Sequence, residues 1–181
     1  MDDFEGLIRR IVKALNDAGV DYMFTGALAA SYYGTPRTTM DMDVIVRFSP
    51  ENTKRLTVQL RKAWMSVSER KIREAFESGS RIVTLKDKKS PFTVDIMLSD
   101  KKLEKTSGTI LGLSTFYQTP EALISSKLRM IKATIPRERT LKDKDDVRAI
   151  LRYTRVDLRA VKRRAQRENT ISILEELVTS D

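Results

Sequence analysis

Two stretches decide the reading: Tyr22-Met23-Phe24-Thr25-Gly26-Ala27 and, after 13 further residues, Asp41-Met42-Asp43-Val44. The first is a short apolar strand that runs into a glycine. A small-residue helix follows from Ala27 to about Tyr33 and closes at Gly34. The second alternates along a predicted strand over 41–47. Asp41, Asp43 and Ile45 face one side, and Met42, Val44 and Val46 face the other.

Outward from these stretches the pattern continues. Phe4, Leu7, Ile8, Ile11, Val12 and Leu15 recur at helical spacing, and Gly19 stops that helix. Thr35-Pro36-Arg37-Thr38 reads as a loop. Ser49-Pro50 opens a helix that runs to about Met65, with Ser as cap and Pro in the first turn. Strands are expected at 81–85 and 92–98, joined by a charged turn as a hairpin. Residues 109–118 read as a short strand or a loop. From Pro120 the pattern is helical. One helix runs to about Thr134. A second, from Thr140, has Val147, Ile150 and Leu151 as its inner stripe. A third, near Asp157, turns Leu158, Val161 and Ala165 inward, and a fourth carries Ile171, Leu174, Leu177 and Val178 on one face. This order describes an α/β or α+β sheet domain over residues 1–118, followed by a small C-terminal helical region over 119–181.

Composition narrows the chemistry. The chain has neither Cys nor His. Thiolate and imidazole chemistry are excluded, so catalysis has to rest on carboxylates, hydroxyls, Lys, Arg or an oxygen-held metal. The absence of Cys fits a reducing cytoplasm. No apolar run approaches the roughly 20 residues of a membrane span, and the acidic Met1-Asp2-Asp3 start does not read as a secretory signal. The formal charge of +9 is uneven. Residues 1–50 carry 5 basic and 7 acidic side chains, whereas 136–167 carry 12 and 5. That balance suits either an anionic partner or a well-solvated surface.

Asp41 and Asp43 leave the same face of one strand. Two acids so close repel unless a cation lies between them, and hard divalent cations are the usual solution; two solvated acids on an exposed face are the alternative. Asp95 lies among the apolar residues of 92–98, where an unpaired buried carboxylate is costly. If that strand lies beside 41–47, Asp95 completes a three-carboxylate cage; otherwise it is an edge-strand acid that discourages aggregation. Gly26 permits close backbone approach, and the N–H groups after it can cradle phosphate, although a strand-Gly-helix turn is also ordinary punctuation.

Taken together, Phe24-Thr25-Gly26-Ala27, the spacer and Asp41-Met42-Asp43-Val44, with Asp95 as a later third acid, resemble the signature of the DNA polymerase beta-type nucleotidyltransferase superfamily. Within it, the chain is most similar to small prokaryotic nucleotidyltransferases of the abortive-infection toxin type. Leu123-Ile124-Ser125-Ser126-Lys127-Leu128 matches their lysine helix, and Lys142-Asp143-Lys144-Asp145-Asp146 their acidic helix. The resemblance covers roughly 20–150. It implies a mixed sheet flanked by helices, with two Mg²⁺ ions held by Asp41, Asp43 and Asp95 and an NTP substrate. It also implies an NMP transferred to a hydroxyl of RNA, tRNA or protein with release of pyrophosphate, and a cognate antitoxin as a possible partner. Gly26 and Ala27 would cradle the outer phosphates, with Arg37 and Lys127 as further nucleotide-binding residues. Asp143 and Asp146 read as caps or ion-pair partners. Ala27 departs from the pattern, since the family carries Ser or Gly there and the Ser hydroxyl is lost. Two other readings stay open: an inactive module of the same fold that binds RNA or a partner protein through the basic helices, and a metal-dependent phosphodiesterase or nuclease.

Overall fold

A computed structural model describes residues 3–135 and 140–179. The first four residues of the basic stretch 136–167 therefore lie outside the described residues. The chain divides into two units. One runs to Gly26 and resumes over Thr38–Tyr117; the other comprises Ala27–Arg37 and the chain from Gln118 onward. Among the described residues no helix is long and apolar enough to cross a membrane.

The first unit is built on a six-stranded mixed sheet. Helix α1 (Phe4–Ala18) begins at Asp3, whose carboxylate accepts from Gly6 N at 2.7 Å, and ends on Gly19. Strand β1 (Tyr22–Phe24) is buried throughout. Strand β2 (Asp41–Arg47) pairs antiparallel with β1 and parallel with β4 (Thr93–Ser99). Strand β3 (Ile82–Lys86) pairs antiparallel with β4, so the expected hairpin forms. Strand β6 (Leu113–Gln118) lies parallel to β1, and β5 (Lys105–Ile110) completes the order β3-β4-β2-β1-β6-β5.

Register fixes which residues share a face. Met42, Val44 and Val46 stand opposite Val94, Ile96 and Leu98, and all six are buried. Helix α3 (Pro50–Lys62) packs against α1, and Leu7, Ile11, Leu15, Leu56 and Leu60 are fully buried. Burying a side chain of this size stabilises by roughly 1.5–3 kcal/mol, so these residues dominate the unit's cohesion. Arg10 of α1 donates to buried Asp87 at 2.7 Å, giving a charge inside the β3–β4 turn a partner.

Helix α4 (Glu69–Glu77) has no counterpart in the sequence reading. The expected helix to Met65 ends at Lys62, because Met65 leaves it to bridge Asp87. Residues 109–118 are not one strand or loop. They span the end of β5, a turn at Leu111 and Gly112 (φ 49° and 78°), and β6. Two consecutive positive φ values make the tight two-residue connection between neighbouring strands.

The second unit is helical: α2 (Gly26–Tyr33, all but its first residue), α5 (Pro120–Ala133), α6 (Leu141–Tyr153), α7 (Leu158–Arg167) and α8 (Ile171–Thr179). At Gly34 a Cβ would stand 2.8 Å from that of Ala149, so the end of α2 and helix α6 touch where a side chain would not fit. Tyr33 donates to the Gln118 carbonyl at 2.8 Å, and Thr154 donates to the Tyr33 carbonyl at 2.6 Å. The predicted stripes need correction. Helix α6 buries Asp146, Val147 and Ile150, with Leu151 only half-buried, and Val178 of α8 is 41% exposed. Asp146 takes the inner position because two cations meet it there, as described next.

Candidate active site

Asp43 and Asp95 are register partners on the adjacent parallel strands β2 and β4, with Thr84 of β3 on the other side of Asp95. Neighbouring strands run about 4.8 Å apart, and in-register side chains share a face. Asp41 lies two residues before Asp43 and therefore on that face as well. The burial pattern agrees. Along β2 and β4 the apolar positions are buried, Asp43 and Asp95 are half-buried, and Asp41 is exposed. The sequence reading had Asp95 complete a three-carboxylate cage if 92–98 paired beside 41–47; that strand pairing is present.

Local structure holds two of the three. Thr39 donates its hydroxyl to the Asp41 carboxylate from the preceding loop. Asp43 is set against Gly26: a Cβ there would lie 1.9 Å from its Oδ2 and 2.7 Å from its Cγ. Gly26 also has φ +58°, a conformation that disfavours any side chain. Thr25 N donates to the Asp43 carbonyl at 3.0 Å, which ties the glycine bend to the acidic strand. The strand-Gly-helix turn is thus more than punctuation, because the missing side chain is the space the carboxylate fills.

Asp95 differs. Its Oδ1 is buried and, among the described residues, has no hydrogen-bond partner. Orphaned carboxylate oxygens are rare because desolvation goes uncompensated. Three hard oxygen donors on one face, one of them with an unsatisfied atom, suit a divalent cation such as Mg²⁺. As the side chains stand, no group of three acidic residues among the described residues is gathered tightly enough to hold a metal ion.

Of the other predicted residues, Ala27, Arg37 and Lys127 belong to the second unit. Ala27 is buried in the first turn of α2 and brings no hydroxyl. Lys127 is 5% exposed. Its Nζ lies 2.6 Å from Asp146 Oδ2 and 2.9 Å from Asp143 Oδ1. Arg37 grips the same Asp146 through two parallel bonds, Nε to Oδ1 at 3.0 Å and Nη2 to Oδ2 at 3.1 Å. The four groups carry two positive and two negative charges, so the cluster is neutral. Asp143 and Asp146 are ion-pair partners, one of the two roles expected of them. Thr39 was missed by sequence reading; a hydroxyl two residues before the first acid was the signal available.

No protein-family model and no curated protein sequence matches this chain. Solved structures do. The antibiotic-resistance factor ANT(2'')-Ia in solution is 14% identical, with a TM-score of 0.65, 95% of this chain and 95% of that chain being covered. The crystal structure of ANT(2'')-Ia in complex with adenylyl-2''-tobramycin is 13% identical, with a TM-score of 0.66 over 92% and 97%. An antigenic nucleotidyltransferase-like protein from Paracoccidioides brasiliensis is 12% identical, with a TM-score of 0.58 over 98% and 93%. At these identities the likeness shows the fold: this chain has the architecture of nucleotidyltransferases.

Proposed function

We propose that the acidic face of the sheet carries out nucleotidyl transfer, moving an NMP from an NTP to an acceptor hydroxyl. The observation that carries this reading is the Asp43–Asp95 register with Asp41 on the same face, set beside a glycine bend that only a residue without a side chain can form. Asp41, Asp43 and Asp95 are the residues that would hold the divalent cations, expected to be two Mg²⁺ ions. Such cations, when bound, neutralise triphosphate charge and favour deprotonation of the acceptor.

The remaining chemistry needs little from side chains, because phosphoryl transfer depends mostly on alignment and charge. The acceptor oxygen forms a bond to the α-phosphorus. The bond from that phosphorus to the bridging β-oxygen breaks, and pyrophosphate leaves with the electron pair. The acceptor's proton departs towards the carboxylates of the face. Gly26 holds Asp43 in place, and backbone N–H groups at Gly26 and Ala27 are proposed to meet the outer phosphates, without the hydroxyl a Ser would add. The phosphate-binding role implied for Arg37 and Lys127 carries a condition: each cation has to exchange Asp146 for a phosphate oxygen.

The acceptor is proposed to be a hydroxyl of RNA, tRNA or protein, and the toxin-type role with a cognate antitoxin belongs to the same proposal. The test is to incubate the chain with all four NTPs, Mg²⁺, RNA and protein, then measure pyrophosphate and the mass added to the acceptor. Wild type should release pyrophosphate and leave an NMP on the acceptor, and Asp43→Asn should do neither while still folding. Monophosphate or shortened RNA without pyrophosphate would point to hydrolysis instead.

A further inference from the structure

Several cations of the second unit have acidic partners. Lys127 and Arg37 meet Asp146, Arg129 meets Glu168, Lys144 meets Glu176, and Arg148 meets Asp145. A run of cations at and before α7 is different. Arg155, Arg159, Lys162, Arg163 and Arg167 are exposed and, among the described residues, form no ion pair. The nearby acids are engaged elsewhere: Asp157 caps α7 by accepting from Ala160 N at 3.0 Å, and Glu168 holds Arg129 at 2.6 Å.

Helical geometry arranges these charges. Arg159, Arg163 and Arg167 follow at i, i+4 and i+8, one per turn and about 6 Å apart along the axis. Like charges at this spacing destabilise a helix unless something neutralises them. The opposite face of α7 buries Val161 and Ala165 and packs against α5 and α8. With its apolar side already covered, the helix has nothing to insert into a lipid surface, and an interfacial membrane helix is disfavoured. Just before the basic row stands Tyr153, 63% exposed, with the Arg152 guanidinium 5.6 Å from its ring centroid.

From this we infer that Tyr153 and the outer face of α7 form a binding surface for single-stranded nucleic acid, the ring stacking a base and the cations holding successive phosphates. A regular row of cations suits a regularly charged backbone, and one aromatic ring gives stacking without sequence reading. The inference does not rest on nucleotidyl transfer.

The experiment is fluorescence anisotropy of the full chain with a labelled RNA strand of roughly 20 nucleotides and a matched DNA strand, across a salt series without NTP or divalent metal. Five phosphate contacts predict a log–log salt slope of about −3.5 for wild type. The combined variant Arg159→Gln, Arg163→Gln, Arg167→Gln should bind more weakly, with a slope of about −1.4. Tyr153→Ala should lose roughly fivefold or more in affinity at an unchanged slope. Binding of both strands supports a backbone surface; binding of RNA alone supports it with a contribution from the 2′-hydroxyl. An unchanged slope in the triple variant would overturn the inference. So would competition by poly-glutamate as strong as that by RNA at equal charge, which would indicate an acidic protein partner. Asp43→Asn should bind RNA as wild type does, so loss of transfer and loss of binding remain separate results.

Discussion

Gly26 and Asp95 define opposite demands on a single residue. Gly26 has to lack a side chain, since its φ is positive and Asp43 occupies the space a Cβ would need. Gly26→Ala should lower stability by about 1–2 kcal/mol from the left-handed backbone alone. Chemical denaturation reads that loss, and transfer should fail as well because Asp43 has to move. Asp95 keeps a carboxylate oxygen where, among the described residues, no partner meets it. Its orphaned Oδ1 costs stability in the absence of a cation. Asp95→Asn should therefore match or exceed wild-type stability in metal-free buffer, by about 0–2 kcal/mol, while losing transfer. A carboxylate kept solely to support the fold would show a clear loss in the same denaturation experiment. Both residues were legible in the sequence, Gly26 from the bend and Asp95 from its isolation among apolar neighbours. The contact between Gly26 and Asp43 was not, because it depends on how β1 and β2 lie side by side.

Among the elements, legibility followed apolar content. Helix α1 and strands β2 and β4 display their period because one face of each is apolar and buried. Helix α4 buries only Ile72, so its period has almost nothing to mark it. Strand β5 buries no residue; main-chain pairing rather than side-chain pattern places it. In α6 the expectation of an apolar stripe failed at Asp146, whose burial is offset by Arg37 and Lys127 from other elements. Asp146→Ala should cost about 1–3 kcal/mol, because Arg37 loses both its bonds and buried Lys127 is left with Asp143 alone, and the thermal midpoint should fall accordingly. On β1, burial raises the Tyr22 phenol above its ordinary 10.0, partly opposed by its hydrogen bond with Thr115. The fold thus favours the neutral phenol. That contribution is complete below pH 10.0 and is lost as pH rises through the higher folded value. Denaturation of Tyr22→Phe between neutral and strongly alkaline pH should show a shallower decline than wild type.

For the whole molecule, the absence of Cys and His leaves oxygen and nitrogen charges as the means of catalysis and recognition. Acidity is concentrated on the face of β2 and β4, while Arg159, Arg163 and Arg167 of α7 form no ion pair among the described residues. The sheet order β3-β4-β2-β1-β6-β5 is what converts acids distant in sequence into neighbours. The central claim is that this acidic face holds divalent cations. It is tested most directly by titrating the protein with Mn²⁺ and following free ion by electron paramagnetic resonance. Wild type should bind Mn²⁺ saturably, with Asp43→Asn and Asp95→Asn each weakening the site by tenfold or more while remaining folded. Equal Mn²⁺ binding by wild type and both variants, or none by wild type in the presence of NTP, would contradict the account.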